Sequence, residues 1–172
     1  MRKQFADKNE WDEPPQLLFL YNVEGKVSSG RSVIPPDVWS LGRPPDILLA
    51  MSESLDAEGD HVTMLDKLRP DSLCGVAFYC EGWTLDLEGR SSDEVNEALE
   101  QSQEHTIYTR EDKVEMTFIG AHTADGPVYA QMIRGRDPDF LLEENAKMEG
   151  AVPESLERLY ELLVAGERKS SE

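Results

Sequence analysis

The sequence predicts a single α+β domain, a mainly antiparallel sheet with helices packed on one face, and three observations carry that expectation. Residues 74–83 form an apolar run of strand length, rich in aromatic and β-branched side chains, with one carboxylate, Glu81, between Tyr79 and Trp83. Val114, Met116 and Phe118 alternate with polar residues, and Asp125-Gly126 then marks a turn into 128–134, which gives a hairpin over 112–134. Between these two sections lies a helical pattern over 91–103. A helix of that length can cross one face of the sheet and return the chain antiparallel.

The elements follow in order. Residues 1–15 are expected to be a mobile polar arm ending in Pro14-Pro15, and 16–23 a short buried strand. Glu24-Gly25-Lys26 and Ser28-Ser29-Gly30 supply turn residues after it. Pro35 to Trp39 can open one helical turn. Pro44-Pro45-Asp46 precedes a helix with Ile47, Leu48, Met51 and Leu55 as its apolar stripe, ending near Gly59. Val62, Leu65 and Leu68 suggest a short helix in 60–70.

The strand from 74 is expected to run on through Leu85 and Leu87, with Val76, Phe78 and both cysteines on one face and Tyr79, Glu81 and Trp83 on the other. Gly82 suggests a bulge or a close backbone approach. Ser91 with Glu94 makes a capping box for a helix burying Val95, Ala98 and Leu99. The 113–119 strand is expected to keep one wet face, which carries Lys113 and Glu115. Asp137-Pro138 can start a short helix through Leu141 and Leu142. Pro153 begins the last helix, whose apolar face is Leu156, Leu159, Tyr160 and Leu163. Gly166 is expected to end it, leaving 167–172 as a disordered tail around the 16–166 domain.

The composition narrows the function. In 172 residues the net charge is −18, near zero over 1–43, −7 over 44–90 and −11 over 91–172. Such a surface repels phosphate backbones and anionic lipid, so direct nucleic-acid binding is unexpected and a protein partner is favoured. No apolar run has the roughly 18 residues of a membrane span, and the charged start does not read as a secretory signal. Cys74 and Cys80 lie on one expected strand, about 20 Å apart, too far to cross-link. They read as buried hydrophobes in a reducing, cytoplasmic setting.

No motif for a cofactor or metal stands out. His61, His105 and His122 lack ligand spacing, and Asp56, Glu58 and Asp60 lack the closing glutamate of a cation loop. There is no phosphate-cradling glycine loop and no nucleophile elbow. Glu81 is the one catalytic candidate: its aromatic neighbours could raise its pKa, or it could mark where the strand emerges into solvent, or pair with Arg110, Lys113 or Arg134, of which Arg134 is the expected partner, with no pocket beside it. Arg134 and Arg136 could clamp an anion. Trp83 is expected in the core, Trp39 as a lid on it or a partner anchor, and Trp11 as a docking anchor in the arm.

The series Gly75-Val76-Ala77-Phe78, Glu81-Gly82-Trp83, His105, Lys113-Val114-Glu115, Asp125-Gly126-Pro127-Val128-Tyr129 and Arg134-Gly135 resembles small uncharacterised proteins of actinobacteria and their phages. The resemblance implies a phage or host accessory protein and brings no activity with it. Three readings follow. The first is a non-enzymatic acidic accessory protein that binds another protein, with self-association as a further option. The second is a small hydrolase using Glu81 with a nearby arginine or histidine. The third is an inhibitor that mimics nucleic acid and occupies a basic groove.

Overall fold

Side chains recurring with period two build the sheet. A computed structural model describes residues 12–31, 34–58, 72–85, 89–103, 109–134, 141–144 and 150–170. Leu17, Leu18, Phe19 and Leu20 are all buried, so β1 (Gln16–Val23) is covered on both faces. It turns through Glu24-Gly25 into β2 (Lys26–Arg31). Both turn residues take positive φ, 52° and 76°, which matches the twist of a tight two-residue hairpin. The Gly25 N–H donates to Asn22 Oδ1 at 3.0 Å and fixes the turn. Ser28, Ser29 and Gly30 are therefore strand and not loop: the register pairs Ser28 with Tyr21 and Gly30 with Phe19.

A 3-10 turn (Pro36–Leu41) and helix α1 (Pro44–Glu58) follow. Arg43 closes the α1 start. Its carbonyl accepts from Asp46 N and Ile47 N, and its guanidinium grips the Asp46 carboxylate at 2.6 and 2.9 Å. The expected helix in 60–70 lies outside the described residues. β3 (Leu73–Leu85) then pairs with β1 on one side and β4 (Lys113–Thr123) on the other. Helix α2 (Ser92–Gln103) joins them. Ser91 and Glu94 form the reciprocal cap, with Ser91 N–H donating to Glu94 Oε2 at 2.8 Å and Glu94 N–H donating to Ser91 Oγ at 3.4 Å. Among its described side chains Ala98 is buried and Val95 half-buried.

β4 returns as β5 (Gly126–Ile133), with Thr123 Oγ1 donating to the Gly126 carbonyl across the turn. Leu141 and Leu142 do not lie on a helix. They belong to β6 (Leu141–Glu144), which pairs with the free edge of β5. The sheet is six-stranded and antiparallel, in the order β2-β1-β3-β4-β5-β6. Helix α3 (Ala151–Ser170) closes the chain. Gly166 does not end it and 167–170 are helical. One interior glycine costs only about 1 kcal/mol, too little to stop a helix anchored by Leu156, Leu159 and Leu163.

The first face of the sheet packs under α1 and α3. Leu17, Phe19, Val76 and Phe78 meet Leu48, Leu156, Leu159 and Leu163 there. Trp39 joins them with its ring 5.6 Å from that of Phe78, as a lid on the core. The second face differs from the wet surface the alternation suggested. Leu18, Leu20, Ala77 and Ala121 form one buried cluster on it, and Tyr79, Ile119, Ala130 and Met132 another. Lys113 and Glu115 occupy only its far end. A bulge also divides the cysteines: Leu20 pairs with Gly75 but Tyr21 with Leu73, so Cys74 is the extra residue and turns to the second face. Cys80 stays on the first.

Candidate functional site

Glu81 stands where the sheet narrows. β1 pairs with β3 only as far as Tyr79, so from Cys80 to Leu85 β3 has β4 alone beside it. Alternation places Tyr79, Glu81 and Trp83 on the second face of this overhang, opposite Ile119, Thr117 and Glu115. The open side explains why a carboxylate is tolerated there, and why Trp83, expected in the core, is 38% exposed with Lys113 Nζ 4.9 Å from its ring centre.

Glu81 is an acceptor on both oxygens. Tyr79 donates its hydroxyl to Oε1 at 3.0 Å, and the Asp12 N–H donates to Oε2 at 2.5 Å. Residues 12–15 of the arm are therefore tied to the sheet. Burial, then the Glu81 and Glu13 carboxylates, push the Tyr79 phenol far above its ordinary value and keep it a donor. Burial, reinforced by Glu81, pushes the Cys80 thiol up to about 12, so it is no nucleophile at neutral pH.

The expected partner, Arg134, bonds to a different carboxylate. Its guanidinium donates to Glu115 and its N–H to the Glu115 carbonyl at 2.9 Å. Glu115 raises the Arg134 pKa most, with Asp12 and Glu81 adding at longer range, so Arg134 does sit within the field of Glu81. The result is a polar corner of interlocked pairs. Thr117, directly across from Glu81, is fully buried, and its hydroxyl has no hydrogen-bond partner among the described residues.

A second feature arises on the first face. Leu17 and Phe19 of β1 form a floor between α1, which supplies Ile47, Ala50, Met51 and Ser54, and α3, which supplies Leu159 and Leu163. Leu41, 82% exposed at the end of the 3-10 turn, stands at the rim. The cavity measures about 460 Å³, within the range of binding clefts, and Ser54 is its one polar residue. Leu17 also lines a smaller cavity of about 160 Å³ with Pro14, Pro15, Ile34, Pro36 and Trp39.

The α1 stripe explains how this groove escaped the sequence. Leu48 and Ser52 point into the core, both fully buried, and Ser52 is satisfied by donating to the Leu49 carbonyl at 2.7 Å. Ile47 and Met51, read as core positions, are left half-buried along the groove. The signal was the adjacency of Ile47 and Leu48, which gives a stripe wider than one packed face requires.

Of the other candidates, Trp39 is 6% exposed, its ring belongs to the core, and it also lines the smaller cavity. Trp11 and Arg136 lie outside the described residues, as do His61, His105 and Asp60. His122 packs its ring 5.3 Å from that of Tyr160. Among the described residues no group of three or more histidine, cysteine or acidic side chains is placed to hold a metal ion, and no helix is long and apolar enough to cross a membrane. No family model matches the chain, and no curated protein or solved structure matches it.

Proposed function

We propose that this protein is a non-enzymatic accessory module that binds another protein through the apolar groove between α1 and α3. The groove carries the reading. Leu41 is fully presented at its rim, and Ile47 and Met51 are left half-buried along the wall above a buried floor of Leu17 and Phe19. Met51 gives the wall a side chain able to repack around an incoming segment. The net charge of −18 keeps such a molecule soluble despite the exposed groove. Glu81 supports this reading over a hydrolase, because both its oxygens accept hydrogen bonds, from Tyr79 and from the Asp12 backbone.

The test is a comparative pull-down from an actinobacterial lysate, the source implied by the resemblance, with wild type and Ala50→Trp as baits. Ala50 is exposed on the groove wall, so an indole there fills the groove without touching the core. A protein captured by wild type and lost with Ala50→Trp, at an unchanged melting temperature, is the expected result. Equal capture by both baits would sink the reading.

A further inference from the structure

We infer that the occupant of the groove is an amphipathic helix whose apolar stripe is bordered by lysine or arginine. This rests on the reading of the groove as a protein-binding surface and names its partner.

Shape supplies the first argument. The groove runs between two roughly rod-shaped elements, α1 and α3, over strand β1, and its walls carry Ile47, Ala50 and Met51 along one helix and Leu159 and Leu163 along the other. An apolar helix face presents anchors at i, i+3, i+4 and i+7 along such a groove. Apart from Ser54 the described lining is apolar, which suits an apolar side-chain stripe.

Charge supplies the second. Among its described side chains helix α1 carries Asp46 and Glu53 and neither lysine nor arginine. Asp46 and Glu53 are exposed, four and three residues from Ala50, and Asp46 is held by Arg43. On α3, Glu154 and Glu161 are exposed, whereas Glu157 lies near Tyr129 of β5, on the side away from α1. An acidic segment entering here meets like charge, and so does a second copy, because each chain carries −18. A basic border is steered in and held off the groove floor by its own solvation, leaving the apolar stripe to fill the groove.

The test uses two synthetic helices of about five turns with the same leucine stripe, one with lysine and one with glutamate on the remaining face. Binding to the full chain is followed by fluorescence anisotropy at about 50 mM and about 300 mM salt. The lysine peptide is expected to bind at least about tenfold tighter than the glutamate peptide at low salt, with the gap closing at high salt. Ala50→Trp is expected to abolish that binding, and Glu53→Lys to weaken it several-fold.

If both peptides bind equally and Ala50→Trp removes both, the basic partner is overturned while the groove remains a protein site. If lysine-peptide binding survives Ala50→Trp, the contact is surface charge and the groove occupant is overturned. If neither binds and sedimentation shows a dimer that Ala50→Trp disperses, the occupant is a second copy. If neither binds and the chain is monomeric, this inference and the groove reading fall together.

Discussion

At the scale of single residues, two glycines on β3 have opposite roles. A Cβ added at Gly75 would stand 2.7 Å from the His122 carbonyl oxygen and 3.0 Å from the Thr123 methyl, because β4 closes tightly beside the bulge. At Gly82 nothing lies within 4 Å, and the pairing with Met116 is regular, so the close approach expected there occurs at Gly75 instead. Gly75→Ala is expected to destabilise by about 1–3 kcal/mol and Gly82→Ala to be near neutral, both measured by urea denaturation. Thr117 offers a second test. Its buried hydroxyl lacks a partner among the described residues, so Thr117→Val is expected to be neutral or to stabilise by up to about 1 kcal/mol. A loss larger than that would show that an ordered water satisfies the hydroxyl.

At the scale of elements, the capping box was legible because it is local. Ser91 and Glu94 satisfy each other across one turn, whatever the helix packs on. Ser91→Ala is expected to lower the stability by about 1 kcal/mol and to reduce the helical circular-dichroism signal. Ser91→Asp, which also caps, should restore both. The β4–β5 hairpin was legible for the same reason, since alternation and the Asp125-Gly126 turn lie within one stretch of chain. β6 was not. Leu141 and Leu142 are ordinary helix formers, and their strand state depends on pairing with Ala130 and Gln131 across the β5 edge. β2 escaped because Ser28, Ser29 and Gly30 are turn residues by composition, while its register depends on the positive φ of Glu24 and Gly25.

At the scale of the whole molecule, charge and burial give the stability two pH limits. The Ser91 backbone N–H and hydroxyl hold Glu94 below its ordinary 4.5. Arg110 and then Arg90 hold Asp112, at the start of β4, well below its ordinary 3.8, through bonds of 2.5 to 2.8 Å. A carboxylate lowered by folding stabilises fully above its unfolded value, and that contribution is lost as pH falls through the folded one. Cys80 runs the other way. A thiol raised from 9.0 to about 12 stabilises below 9.0 and loses that contribution as pH rises toward 12. The urea midpoint is therefore expected to fall with added acid below about pH 4.5 and again above about pH 9. Asp112→Asn should make the acid limb shallower, and Cys80→Ala the alkaline limb between about pH 9 and 10, above which the raised Tyr79 phenol adds its own loss.

The sequence by itself determined the α+β class, β1, the strand expected from residue 74, the central hairpin and the main apolar faces of α1 and α3. All of these rest on short-range periodicity and local hydrogen bonding. The tertiary structure alone decided what surrounds each side chain. It ended β1 at the level of Tyr79, which left Glu81 and Trp83 on an overhang, and it took up Glu81 with the arm's Asp12. It placed Arg134 on Glu115, directed Cys74 across the sheet through a bulge, and left Ile47 and Met51 along a groove that Leu48 does not face. Periodicity fixes which way a side chain points. What it meets there depends on chain distant in sequence, and that is settled only when the layers pack.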